Sequence, residues 1–202
     1  MIIGLTGVIA SGKSLVSSRI RDYHNIPVID ADAVAKSLMR SGMPVYNAVV
    51  EAFGREILQN NGEIDSRVLG GIVFADNNKL TLLNNITHPA TIKEIITLAD
   101  NEEKNGARVV FIESALLLSA GMDKIVDEIW AVIANEDIRI KRLMERNNLS
   151  YDEALKRIRA QRDEDKMVSL SSFVIENNKD IQELYIQVDN AISKLGVVYE
   201  KN

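Results

Sequence analysis

An α/β fold built on a parallel sheet is what this sequence predicts, and three observations carry the prediction. Short apolar runs alternate with stretches of helical periodicity along the chain. The first run leads directly into a glycine-containing turn that opens a helix. The 202 residues are 46% hydrophobic with only three prolines, enough to bury a sizeable core as a single domain over 1–202. Strands that alternate with helices form a parallel sheet covered on both faces.

The elements follow in order. Strands are expected at Ile2 to Thr6, Pro27 to Asp30, Arg108 to Glu113, Glu128 to Ile133 and Ser172 to Ile175. Between the second and third lies a mostly helical segment, 33–103, too long for a simple crossover. It is broken at Gly42-Met43-Pro44 and at Asn60-Asn61-Gly62. This segment is a candidate substrate-binding insertion. A second helical stretch, 136–167, separates the fourth and fifth strands. No internal repeat or low-complexity tract is present.

Composition narrows the function. A net charge of −5 argues against a nucleic-acid surface as the main partner and points to a small molecule. The absence of cysteine excludes disulfides and thiolate metal sites. A strand starting at residue 2 leaves no room for a signal peptide, and no apolar run is long enough to cross a bilayer. A cytoplasmic protein without a membrane partner is expected.

The stretch from Gly7 to Ser14, GVIASGKS, has the spacing of a phosphate-binding loop, and it follows an apolar strand as that loop requires. Backbone N–H groups in such a loop form an anion nest at a helix start. Lys13 would reach the β- and γ-phosphate oxygens, and the Ser14 hydroxyl would ligate Mg²⁺. These features predict a P-loop nucleotide-binding fold.

Residues at other strand ends bear on where the phosphate goes. Asp30 and Asp32 lie at the end of the second strand, where ligands of open parallel sheets bind. A carboxylate there can accept the proton of an attacking hydroxyl, and Asp32 is the candidate base. The alternative is that one of the pair caps the following helix. Glu113 ends the third strand, either as a metal-site residue or as a solvated strand-end glutamate.

Arg139, Arg142 and Arg146 recur at i, i+3 and i+7 beside an apolar face of Ile140, Leu143 and Met144. Ser150 with Glu153 reads as a capping box opening a further helix that carries Arg157, Arg159, Gln161 and Arg162. The arginines form either a solvated face or a mobile lid that clamps phosphates and excludes water.

Taken together, these residues resemble the dephospho-CoA kinases over nearly the whole chain. The likeness rests on Gly4-Leu5-Thr6-Gly7 running into Ser11-Gly12-Lys13-Ser14, on Val28-Ile29-Asp30-Ala31-Asp32, and on Gly42 and Pro44 before Phe53-Gly54. It continues through the Leu69 to Phe74 helix, His88-Pro89, Ala115-Leu116-Leu117, Lys141-Arg142-Leu143 with Arg146, Ala160-Gln161, and Val174 to Asn178. The resemblance implies ATP-dependent, Mg²⁺-requiring phosphorylation of the ribose 3′-hydroxyl of dephospho-CoA, the last step of coenzyme A synthesis. It also implies a P-loop kinase fold with a helical substrate segment and a helical lid.

By the same resemblance the triphosphate lies on Ala10, Ser11, Gly12, Lys13, Ser14 and Leu15. Asp32 faces the acceptor, Arg142 and Arg146 belong to the lid, and Asn177 and Asn178 lie near the adenine. His88 either orients substrate or makes a structural contact.

The chain departs from the family pattern in three places. Val8 and Ala10 stand where the family reads glycine in G-G-I-G-S-G-K-S. Ala115 to Ser119 replaces P-L-L-F-E, and Ser66 replaces the arginine of I-D-R, with Arg67 one position along. Another small-metabolite or nucleoside monophosphate kinase would share this core. A GTP-dependent switch fits less well, because Asn178-Lys179-Asp180 has the wrong spacing for N-K-x-D and no aspartate begins D-x-x-G.

Overall fold

The structure, a computed structural model, describes residues 1–161 and 164–196; Arg162 therefore lies outside the described residues. Five strands form one sheet in the order β2-β3-β1-β4-β5: β1 (Ile2–Gly7), β2 (Val28–Asp30), β3 (Val110–Glu113), β4 (Glu128–Ile133) and β5 (Phe173–Glu176). β1 runs parallel to β3 and to β4, and β4 runs parallel to β5. β2 joins at the edge, where the Phe111 N–H donates to the Pro27 carbonyl at 2.9 Å. All five expected strands are present, with ends shifted by a residue or two. Apolar runs locate a strand's centre, whereas ladder bonds set its ends. The Arg108 carbonyl, for example, accepts from the chain's N-terminal ammonium (3.1 Å), ahead of the ladder that begins at Ile2 and Val110.

Backbone packing divides the chain into two compact units, one of Met1–Ile29 with the chain from Ala99 onward, the other of Asp30–Leu98. The first holds the sheet core. Ile3, Leu5, Phe111, Trp130, Val132 and Ile175 are buried against Val16 and Ile20 of α1 (Lys13–Ser18) with its π-helical extension Arg19–Tyr23. Leu184, Val188 and Ile192 of α9 (Ile181–Lys194) pack on the same cluster. Trp130 meets Phe111 edge-on at 5.1 Å between ring centroids. Ala131, one residue from Trp130, instead packs with Val8 and Met167, as the alternation of strand side chains requires. Burial on both faces explains why these strands read as continuous apolar runs.

The 136–167 stretch resolves into α6 (Glu136–Asn147), α7 (Tyr151–Arg159) and the start of α8 (Glu164–Leu170). α6 ends at Asn148, whose φ of 51° is the left-handed value that terminates helices. Ser150 then begins α7 with the expected capping box: its hydroxyl accepts from the Glu153 N–H, and Glu153 accepts from the Ser150 N–H at 2.9 Å. The Ser150 hydrogen bonds hold the Glu153 carboxyl below its ordinary pKa.

The second unit is helical: α2 (Ala31–Leu38), α3 (Pro44–Phe53), a 3-10 turn at Arg55–Ile57, α4 (Ser66–Ala75) and most of α5 (Asn77–Lys104). Both expected breaks occur. Pro44 is the first residue of α3, and Gly62 (φ 82°) turns the chain between Leu58 and Ile64, which form an antiparallel bridge. Val45, Val49, Phe53, Ile57, Leu69 and Val73 are buried within it. Among the described residues, no helix is long and apolar enough to cross a membrane.

Candidate active site

The loop between β1 and α1 is shaped by glycines that cannot be replaced without collision. At Gly7 a Cβ would approach the Val132 carbonyl of the neighbouring strand at 2.7 Å. At Gly12, where φ is 94°, it would collide with the Asn177 side-chain amide. Ala10 also has a left-handed backbone, φ 61°, at one of the positions where the family pattern has glycine. Left-handed geometry disfavours an L-residue, so surrounding contacts must hold this turn.

β1 and β3 end side by side, with Leu5 opposite Glu113. Lys13, the first residue of α1, returns over these ends and places Nζ 2.7 Å from Glu113 Oε1, with 16% and 11% of the two side chains exposed. Glu113 therefore serves as the lysine's ion-pair partner, fixing a long flexible cation beside the loop. Ser14 and Leu15 are exposed at the loop's far end. Among the described residues no three carboxylate, histidine or cysteine side chains gather into a metal cage. The oxygen donor offered by Ser14 fits Mg²⁺, which binds proteins through one or two ligands and takes the rest from phosphates and water.

Three side chains from distant segments grip the loop's backbone. Asn177, 3% exposed after β5, donates from Nδ2 to the Ser11 carbonyl at 2.7 Å. Arg142 of α6 donates from Nη1 to the carbonyls of Ala10 and Ser11, both at 3.4 Å, and from Nη2 to the Asn177 carbonyl and Oδ1 at 3.1 and 3.2 Å. Burial lowers the Arg142 pKa, yet a guanidinium stays charged at any physiological pH. Gln161, beyond α7, accepts from the Ile9 N–H at 2.7 Å. A cavity of about 460 Å³ lies next to this arrangement, lined by Gly7 and Val8, by Leu116 and Ser119 after β3, and by Gln161 and Glu164.

The structure thus brings together Ala10, Ser11, Gly12, Lys13, Glu113, Arg142 and Asn177. Others of the expected set stand apart. Asn178 is turned to α6, where its Oδ1 accepts from the Asn135 N–H at 2.7 Å. Arg146 is exposed and bonds Asn147 at 2.9 Å. The arginine stripe is not one uniform face: Arg139 is 5% exposed and pairs with Glu164 of α8 at 3.0 Å, because its position on α6 borders buried Leu143. Gln161 was legible within the Ala160-Gln161 likeness but not as a support of the loop, since its partner lies 152 positions away.

In the second unit the paired aspartates divide. Asp30 Oδ1 accepts from the Ala33 N–H at 3.0 Å and caps α2. Asp32, in the first turn, is exposed. His88 is half-buried on α5 beside Pro89, and burial lowers its pKa, which keeps the imidazole neutral at pH 7.

Comparison with known proteins bears on the whole chain. The dephospho-CoA kinase family model matches residues 1–183. The dephospho-CoA kinase of Oceanobacillus iheyensis is 41% identical over 197 residues, 98% of each chain. That of Carboxydothermus hydrogenoformans is 44% identical over 193 residues, covering 96% of this chain and 93% of its own. A solved structure from Thermus thermophilus superposes with a TM-score of 0.79 at 30% identity, over 96% of this chain and 97% of its own. With its P-loop, its five-stranded parallel kinase sheet and relatives matched end to end, the chain belongs to the dephospho-CoA kinase family.

Proposed function

We propose that this protein transfers the γ-phosphoryl group of ATP to the ribose 3′-hydroxyl of dephospho-CoA, the closing reaction of coenzyme A synthesis in the cytoplasm. The observation that carries the reading is the phosphate loop with Lys13 fixed by Glu113, in a chain matched along its length by dephospho-CoA kinases.

Each chain group has a task. The loop's N–H groups and Lys13 receive the triphosphate and neutralise charge that builds up on the transferred group; such preorganised donors act most strongly where water is excluded. Glu113 keeps Lys13 in place without competing for its whole charge, since an ammonium has three donors. The Ser14 hydroxyl would hold Mg²⁺, which would supply charge neutralisation for the phosphates. Asp32 accepts the proton of the 3′-hydroxyl as the new O–P bond forms and the bond from the γ-phosphorus to the bridging oxygen breaks, releasing ADP. Its exposed carboxylate has no helix-capping duty, unlike that of Asp30. Helices within 33–103 hold the acceptor, with His88 a candidate contact. The α6–α8 stretch closes over the phosphates, with Arg142 and Arg146 its candidate clamps and Asn178 near the base.

An acceptor panel tests this reading. With ATP and Mg²⁺, dephospho-CoA is expected to be phosphorylated, while adenosine, AMP, CMP and shikimate are not. Turnover confined to one of the other acceptors would make this a different small-molecule kinase.

A further inference from the structure

Resting on the assignment of the loop as the ATP site, we propose that Arg142, Gln161 and Asn177 form a clasp that holds the phosphate loop in its strained shape. Asn177 and Gln161 are positioning residues, serving nucleotide binding through the loop and not by touching the base or phosphates.

The strain is local. Ala10 has φ 61° and Gly12 has φ 94°. Glycine adopts such angles freely, whereas alanine does so only where its surroundings over-determine the backbone. The Ser11 N–H to Val8 carbonyl bond at 3.1 Å closes the turn locally, and the clasp adds constraint on both sides of Ala10. Before it, Gln161 Oε1 takes the Ile9 N–H at 2.7 Å. At and after it, Arg142 takes the Ala10 and Ser11 carbonyls at 3.4 Å, and Asn177 Nδ2 takes the Ser11 carbonyl at 2.7 Å. The gripping groups match the loop in polarity, an acceptor set on an N–H and donors set on carbonyls.

Asn177 is itself immobilised. Its backbone N–H donates to the Ile133 carbonyl at 2.8 Å, Arg142 binds its two oxygens, and only 3% of the residue is exposed. A side chain so enclosed has its amide committed to the protein. Because a trans peptide group is planar with C=O and N–H opposed, drawing the Ser11 carbonyl to Asn177 turns the Gly12 N–H the other way. An anion nest needs N–H groups turned in this manner. The clasp also recruits α6, the segment after α7 and the segment after β5, so the loop's shape depends on the packing of all three.

The test uses ADP binding by calorimetry and amide hydrogen exchange of the nucleotide-free protein, on Asn177→Ala and Gln161→Ala, each with and without Ala10→Gly. Asn177→Ala should weaken ADP binding by about tenfold, the equivalent of one strained residue released. Gln161→Ala removes an exposed side chain and leaves the fold secure; it should weaken binding by about threefold and speed Ile9 amide exchange by about tenfold. Adding Ala10→Gly should restore most of the lost affinity in both, because glycine does not drive the loop out of shape. Loss of affinity that Ala10→Gly fails to restore would mean direct contact with the nucleotide and would overturn the proposal, as would unchanged binding in both variants. If the unsubstituted protein binds no ADP, the ATP-site reading itself fails, a result visible before any variant is compared.

Discussion

The phosphate loop and the start of α2 both follow strand ends, yet they are built in opposite ways. Beyond its own Ser11 N–H to Val8 carbonyl bond, the loop is gripped by residues far away in sequence: Glu113 on Lys13, Asn177 on Ser11, Arg142 on Ala10 and Ser11, Gln161 on Ile9. At α2 the chain enters a helix at once, and its cap is local: the Ala33 N–H donates to Asp30 three residues back. Asp32 is left with its carboxylate in solvent. On the proposed roles, groups meant for a polyanion are preorganised by the fold, whereas a proton acceptor needs only a rigid backbone beneath it and an uncommitted side chain.

If that contrast holds, substitutions at the two places should fail differently. The largest effect is expected for Asp32→Asn, which keeps shape but loses basicity: kcat should fall by roughly 10² to 10⁴ with little change in melting temperature. Lys13→Ala should lower kcat by about 10² to 10³ and weaken nucleotide binding as well, with the circular dichroism spectrum unchanged. Near-normal turnover there would count against the loop as a phosphate cradle.

Smaller effects concern stability. Asp30→Ala removes the α2 cap and should cost about 1 kcal/mol, read in a urea melt, with a milder loss of turnover than at Asp32. A larger turnover defect at Asp30 than at Asp32 would reverse their roles.

Asp189 of α9 offers a long-range grip without a ligand task. Its carboxylate takes Arg19 at 2.9 and 2.6 Å and His24 at 2.7 Å. The Arg19 hydrogen bonds hold the Asp189 carboxyl below its ordinary pKa. The stabilisation is therefore complete above the unfolded carboxyl value of about 4 and is lost as pH falls through the depressed folded value. Asp189→Asn should lower the melting temperature by about 2–4 °C at pH 7, shrink that difference under strong acid, and leave turnover unaltered.

The same contrast governs what the sequence made legible. Local rules found the Ser150 capping box, the Pro44 helix start and the strand centres, because each depends on residues a few positions apart. The motif located Lys13 and Ser14 for the same reason. Glu113 was visible as a strand-end carboxylate, but its pairing with Lys13, 100 positions away, depends on β1 lying beside β3. Asn177 and Gln161 could not be read as loop supports, since no spacing rule connects them to Ser11 and Ile9. Arg139 shows the limit of periodicity: helical spacing grouped it with Arg142 and Arg146, whereas burial against α8 separates it from them.

On the proposed division of roles, ATP is held by the preorganised loop while Asp32 serves the acceptor alone. Titrating ATP with Mg²⁺ into Asp32→Asn, under conditions where its turnover is measured, tests this most directly. ATP affinity is expected within about twofold of that of the unsubstituted protein, beside a turnover reduced by at least about 10². A parallel loss of ATP or Mg²⁺ binding would contradict it and move Asp32 to the metal site.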